Sequence, residues 1–118
     1  MQSFVYAWEG LWFSLKHNQN LRIHFVIAII VTIFGILLGL NGFEKGIVGI
    51  IILLVIVTEM INSVIEEMVD LITTEHRQQA KIAKDVGAGM VLVTALGSVI
   101  VGLLVFGPHI LQLLNVHY

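Results

Sequence analysis

Five residues that can do chemistry, Glu59, Asn62, Glu66, Glu67 and Asp70, directly follow a run from Gly46 to Thr58 that carries no charge. Asn62, Ser63, Glu66, Glu67 and Asp70 follow Glu59 at i+3, i+4, i+7, i+8 and i+11. In a helix that spacing gathers all of them on one face. The stripe from Glu59 to Asp70 is about 16 Å long at about 1.5 Å per residue. Carboxylates so arranged attract divalent cations, and Mg²⁺ is commonly held by one or two of them together with substrate phosphates. A carboxylate placed deeper than the others is the residue type for a general base. Glu75-His76-Arg77 and Lys84-Asp85 follow in the chain, and basic side chains there suit phosphate oxygens. The residues taken alone point to metal–phosphate chemistry at a membrane face, performed on a lipid. A solvated acidic face would account for Glu67 and Asp70, but not for Glu59 at the end of an uncharged run.

The elements that must position this stripe belong to a membrane. The chain has 118 residues, 58% hydrophobic and 12% charged. Soluble domains have about 45–50% apolar and about 25% charged residues. A hydrocarbon core about 30 Å thick needs about 20 apolar residues in a helix. Three segments meet that need, at about 23–43, 46–72 and 85–108. Before them, Phe4, Trp8, Leu11, Trp12 and Leu15 recur at helical spacing, with Glu9 and Lys16 on other faces. This pattern predicts a helix over about 3–20 lying in the membrane interface. The fold class expected is an all-α integral membrane protein with one surface helix and three spans in a single domain, 1–118.

Charge sets the expected orientation. Lys16, Arg22, Arg77, Lys81 and Lys84 fall on one side of the spans and Lys45 alone on the other. The basic side is cytoplasmic by the positive-inside rule, which places the amino terminus and the 73–84 loop inside and the carboxyl terminus outside. A formal charge of −2 with no basic run argues against a nucleic-acid partner. The absence of cysteine excludes disulfides, thiolate catalysis and cysteine-ligated metals. No cleaved secretory segment is expected. Neither G-x-x-x-x-G-K-[ST] nor H-E-x-x-H occurs.

E-M-I-N-S-V-I-E-E-M-V-D at 59–70, followed by A-K-D-V-G-A-G at 83–89 and preceded by Y-A-W-E-G-L at 6–11, resembles the prokaryotic diacylglycerol kinase family. R-I-H at 22–24 and A-K-I-A-K-D-V-G-A-G at 80–89 are most similar to its undecaprenol kinase branch. The resemblance implies a trimeric membrane kinase that transfers the γ-phosphoryl of MgATP to a lipid hydroxyl, with undecaprenol or diacylglycerol as acceptor. It implies Glu59 as general base, Glu66 as the Mg²⁺ ligand bridging to ATP, and Asn62 as the residue ordering the site. It also implies nucleotide or phosphate contacts for Tyr6, Asp70, Glu75, His76, Arg77, Lys84 and Asp85.

One position departs from the family pattern. A second metal-binding glutamate belongs where this chain has Asn18. An amide oxygen can coordinate Mg²⁺ and contact the nucleotide but brings no charge, so weaker metal binding or an inactive paralogue is an alternative to a competent kinase. From other classes, a proton-coupled transporter would use an intramembrane glutamate, and a non-catalytic subunit would bind nucleotide without turnover. His17, His24, His109 and His117 are expected to be interfacial. Gly35, Gly39, Gly87, Ala88, Gly89, Ala95 and Gly97 are expected to permit close helix packing.

Overall fold

The long apolar runs form helices because only a helix satisfies every backbone group within one segment in the absence of water. The computed structural model describes residues 1–115, so His117 lies outside the described residues. It consists of α1 (Gln2–His17), α2 (Gln19–Leu37), α3 (Gly42–Ile72) and α4 (Gln78–Asn115). α2, α3 and α4 are each long and apolar enough to cross a membrane. The all-α expectation of one shorter amphipathic helix and three long apolar ones is met. α3 packs chiefly on α4 and more lightly on α2, and α1 touches α2.

Several element boundaries differ from expectation, and most of the differences have a local reason. The first helix stops at His17 because Asn18 is extended, at φ −108° and ψ 106°. Asn18 caps α2 by accepting a hydrogen bond from the Leu21 N–H at 3.1 Å, as asparagine at a helix start commonly does. α2 ends at Leu37 rather than near 43, because Gly39 turns the chain with φ +74°, a left-handed conformation that glycine adopts freely. The turn buries Leu40 against Gly35, where an added Cβ would meet Leu40 Cδ1 at 3.0 Å. α3 begins early because Asn41 caps it, accepting from the Glu44 N–H at 2.8 Å while its own amide donates to Glu44 Oε1 at 2.7 Å. α4 starts seven residues before the expected span and continues through Pro108. A proline removes one backbone donor but is tolerated in membrane helices whose neighbours supply alternative partners.

Burial is inverted relative to a soluble protein. Among the described residues the buried apolar side chains are Leu21 and Leu40, whereas Thr58, Glu59 and Asn62 are buried polar groups. Large apolar side chains face outward along every helix. Such a surface is stable against lipid or other apolar helices and not against water.

α3 and α4 are joined by a few specific contacts. Thr58 Oγ1 and Thr94 Oγ1 lie 3.0 Å apart, so that one hydroxyl donates to the other while the second donates back to a carbonyl of its own helix. Asn62 Oδ1 lies against Gly87, so that a Cβ at Gly87 would collide with it. At the opposite end, His109 Nε2 meets Glu44 Oε2 at 2.6 Å and ties α4 to the start of α3. Of the glycines expected to permit packing, Gly35 and Gly87 do so within the chain. Gly39 serves a turn, and Gly89 and Gly97 have open space where a Cβ would stand.

Candidate functional site

Thirty-one residues of α3 extend about 46 Å, which exceeds a hydrocarbon core of about 30 Å. The surplus lets the acidic end run from membrane depth to beyond the bilayer. Glu59 is deepest and only 3% exposed. Its carboxylate is held by α1–α2: Asn18 Nδ2 donates to Glu59 Oε1 at 3.1 Å and also to Ser63 Oγ. Ser63 in turn donates to the Glu59 backbone carbonyl at 3.1 Å. The other carboxylate oxygen, Oε2, faces His24 Nε2 at 4.0 Å.

Further toward the acidic end on the same face, Asn62 Nδ2 donates to Glu66 Oε1 at 3.3 Å, while Asn62 Oδ1 is buried without a hydrogen-bond partner. Glu66 is exposed and shares with Glu59, Asn18, Ser14 and Glu67 a cleft of about 600 Å³ between the end of α1 and α3. Two exposed carboxylates, Glu66 and Glu67, therefore open into one space with the buried Glu59.

A second cleft of about 700 Å³ lies at the α3–α4 connection, lined by Asp70, Glu75, His76, Arg77, Lys84 and Asp85 among others. Lys84 Nζ reaches back to Asp70 Oδ1 at 2.6 Å, and Lys81 Nζ pairs with Asp85 Oδ2 at 2.6 Å. Lys84 and Asp85, neighbours in sequence, thus each pair elsewhere. Arg77 is paired with Glu75 at 3.2 Å. All three ion pairs are exposed, so each is worth little in isolation and can be exchanged for an incoming anion.

The residues singled out by sequence fall into two groups and one outlier. Asn18, Glu59 and Glu66 share the first cleft, with Asn62 bonded to Glu66. Asp70, Glu75, His76, Arg77, Lys84 and Asp85 share the second. Tyr6, 64% exposed on α1, lines neither. Asn18, a candidate metal or nucleotide ligand by sequence, uses its amide in this fold to cap α2 and hold Glu59. His24, expected to be simply interfacial, stands beside Glu59. His24, just after Arg22 at the start of α2, lies at the depth of Glu59 near the acidic end of α3, and this equality of depth is the available signal.

Among the described residues no group of three or more His, Cys, Asp or Glu side chains is placed to hold a metal. The donor set fits Mg²⁺ arriving on nucleotide phosphates, which needs one or two carboxylates from the protein. It does not fit an ion bound by protein alone.

Comparison with known proteins agrees with the resemblance seen in the motifs. Residues 5–106 match the prokaryotic diacylglycerol kinase family. The chain is 40% identical over 109 residues to the undecaprenol kinase of Bacillus subtilis, covering 92% of this chain and 89% of that protein. It is 35% identical over 113 residues to the diacylglycerol kinase of Synechocystis, covering 95% of this chain and 65% of that one. With the diacylglycerol kinase of Escherichia coli K12 it shares 26% identity over 104 residues, 88% and 85% of the two chains. A match spanning the surface helix, the acidic stripe and the third apolar helix is enough to assign the fold family: this chain belongs to the prokaryotic diacylglycerol kinase family.

Proposed function

We propose that the chain is an ATP-dependent lipid kinase of the cytoplasmic membrane that phosphorylates the hydroxyl of undecaprenol. The observation that carries this reading is the buried carboxylate of Glu59, which shares a cleft with Glu66 and Glu67 at one end of a helix long enough to span the bilayer. A lipid hydroxyl reaches that depth from the membrane, and the phosphates of ATP reach the exposed carboxylates from water. The 40% identity to an undecaprenol kinase favours the polyprenol over diacylglycerol as acceptor. Diacylglycerol is the second reading, favoured by the 35% identity to the Synechocystis enzyme.

In the proposed reaction the acceptor oxygen attacks the γ-phosphorus in line, the bond to the ADP oxygen breaks, and the hydroxyl proton passes to Glu59. Glu66, with Glu67 beside it, would hold Mg²⁺ on the nucleotide. The ion supplies neutralisation of the charge on the transferring phosphoryl group. Asn62 steadies Glu66, and Asn18 fixes the orientation of Glu59. Lys84, Arg77 and His76 offer positive or donor groups to the phosphates, with Asp70, Glu75 and Asp85 holding the basic side chains in place until nucleotide arrives. Tyr6 contacts the nucleotide only if α1 or a neighbouring copy brings it over a cleft. A single domain over 1–118 working as a homotrimer, with the amino terminus and the 73–84 loop in the cytoplasm, completes the proposal.

The test is transfer of labelled phosphate from MgATP to undecaprenol and to diacylglycerol in mixed micelles. Faster labelling of undecaprenol is expected. Preference for diacylglycerol would select the second reading. Absence of label in both lipids from folded, nucleotide-binding protein would overturn the kinase reading in favour of a non-catalytic role.

A further inference from the structure

A narrow apolar groove of about 380 Å³ runs between α2, α3 and α4, and His24 is the one ring nitrogen donor among its lining residues. Val31 on α2, Val48 and Val55 on α3, and Ala95 and Phe106 on α4 also line it. From His24 to Val31, and from Val55 to Val48, the groove descends about 10 Å along two antiparallel helices, away from the acidic end of α3. Its volume lies within the range of about 300–1,000 Å³ usual for small-molecule sites. His24 thus belongs to two places: it ends the apolar groove, and its Nε2 faces Glu59 Oε2 at 4.0 Å.

That separation is too long for a direct hydrogen bond. It still leaves one oxygen atom able to lie about 2.8 Å from both, at the apex of a triangle. An alcohol oxygen there accepts from the His24 Nε2–H while donating its own proton to Glu59 Oε2. Asn18 already occupies Glu59 Oε1, so Oε2 is the oxygen left for an incoming hydroxyl. Lipid arriving with its hydroxyl at this pair has a groove continuing from the same ring into the apolar part of the bundle.

We infer that His24 positions the acceptor, its Nε2–H holding the oxygen of a long-chain lipid alcohol against Glu59 Oε2 while the start of the chain lies in the groove below. The inference rests on the kinase reading and adds a residue to it. When the oxygen–phosphorus bond forms, the proton moves to Glu59, the bond to ADP breaks, and His24 keeps its own proton.

Three variants measured against the unaltered protein test this. His24→Leu removes the donor at similar volume, and is expected to raise KM for the lipid about tenfold, the effect of one hydrogen bond worth about 1.4 kcal/mol, with KM for MgATP unchanged. His24→Gln keeps an N–H donor and is expected to recover most of the loss. Ala28→Phe fills the groove one turn beyond His24, and is expected to impair a long polyprenol more than a short, three-isoprene alcohol. The inference is overturned if His24→Leu leaves the lipid KM unchanged or raises both KM values equally. It is also overturned if His24→Gln is no better than His24→Leu, or if Ala28→Phe affects the two chain lengths alike. Should the His24 variants fail to fold, the chain-length comparison in Ala28→Phe decides alone. Lack of lipid phosphorylation by the unaltered protein would instead refute the kinase reading itself, which keeps the two failures distinct.

Discussion

Glu59 and Asn18 divide one task between two helices. A carboxylate 3% exposed inside a membrane bundle must be hydrogen-bonded, and Asn18 supplies the donor. Converting Glu59 to Gln preserves shape and removes the proton acceptor. Turnover should fall at least about 10²-fold, as for loss of a general base, while MgATP affinity, read by equilibrium binding, is retained. Full activity in Glu59→Gln would defeat its assignment as base. Asn18→Glu exchanges the donor for a further carboxylate in the cleft that already holds Glu59, Glu66 and Glu67. Its half-saturating Mg²⁺ concentration is expected to drop by about tenfold, or about 1.4 kcal/mol. Thermal stability should also drop, because the cap on α2 is lost at a cost of about 1 kcal/mol. An unchanged Mg²⁺ requirement would remove position 18 from the metal site.

At the scale of elements, the closest approach of α3 and α4 near the candidate site is a notch at Gly87. Asn62 occupies the space that any side chain at Gly87 would need, and Asn62 is also the partner of Glu66. Gly87→Ala should therefore push the helices apart or displace the amide. Either response should cost about 1–3 kcal/mol, read as a lower melting temperature in detergent, together with weaker MgATP binding. By contrast Gly89→Ala, with open space at its Cβ, is expected to be silent within a single chain; a loss there would point to contact with another copy. α1 offers a separate test. Trp8 and Trp12 are the only tryptophans and both lie on α1, so intrinsic fluorescence reports that helix alone. Lipids brominated near the headgroup should quench it more strongly than lipids brominated at the chain end, as expected for an interfacial helix. The reverse order would place α1 inside the bilayer.

For the molecule as a whole, outward apolar surface and inward polar groups require lipid or further copies around every helix. The proposed trimer should be visible as a protein mass of three chains in detergent after correction for bound detergent. A monomeric mass with full activity would rule out a shared site. Because the chain has no cysteine, single replacements report topology without background. Thr74→Cys should react with an impermeant maleimide only after the membrane is opened from the cytoplasmic side, and Gly42→Cys should react from outside in intact cells. The opposite pattern would invert the orientation read from Lys and Arg.

The sequence by itself determined the number of long apolar helices, the surface-helix pattern and the acidic face of α3. These are consequences of local spacing: apolar length fixes a span, and i+3, i+4 recurrence fixes a face. It also carried the family motifs that comparison with known proteins bears out. Helix ends were less legible, because Asn18, Gly39 and Asn41 act through backbone angles and caps that compete with the apolar pattern on either side. Only the tertiary structure decided which helix meets which at a given depth. Nothing in the spacing of Asn18, His24 and Glu59 says that one carboxylate oxygen faces an amide and the other an imidazole. Nor could it tell that Lys84 turns to Asp70 rather than to its neighbour Asp85. Those contacts join residues 14 to 41 positions apart, and they exist because antiparallel packing sets the ends of α2, α3 and α4 at one level.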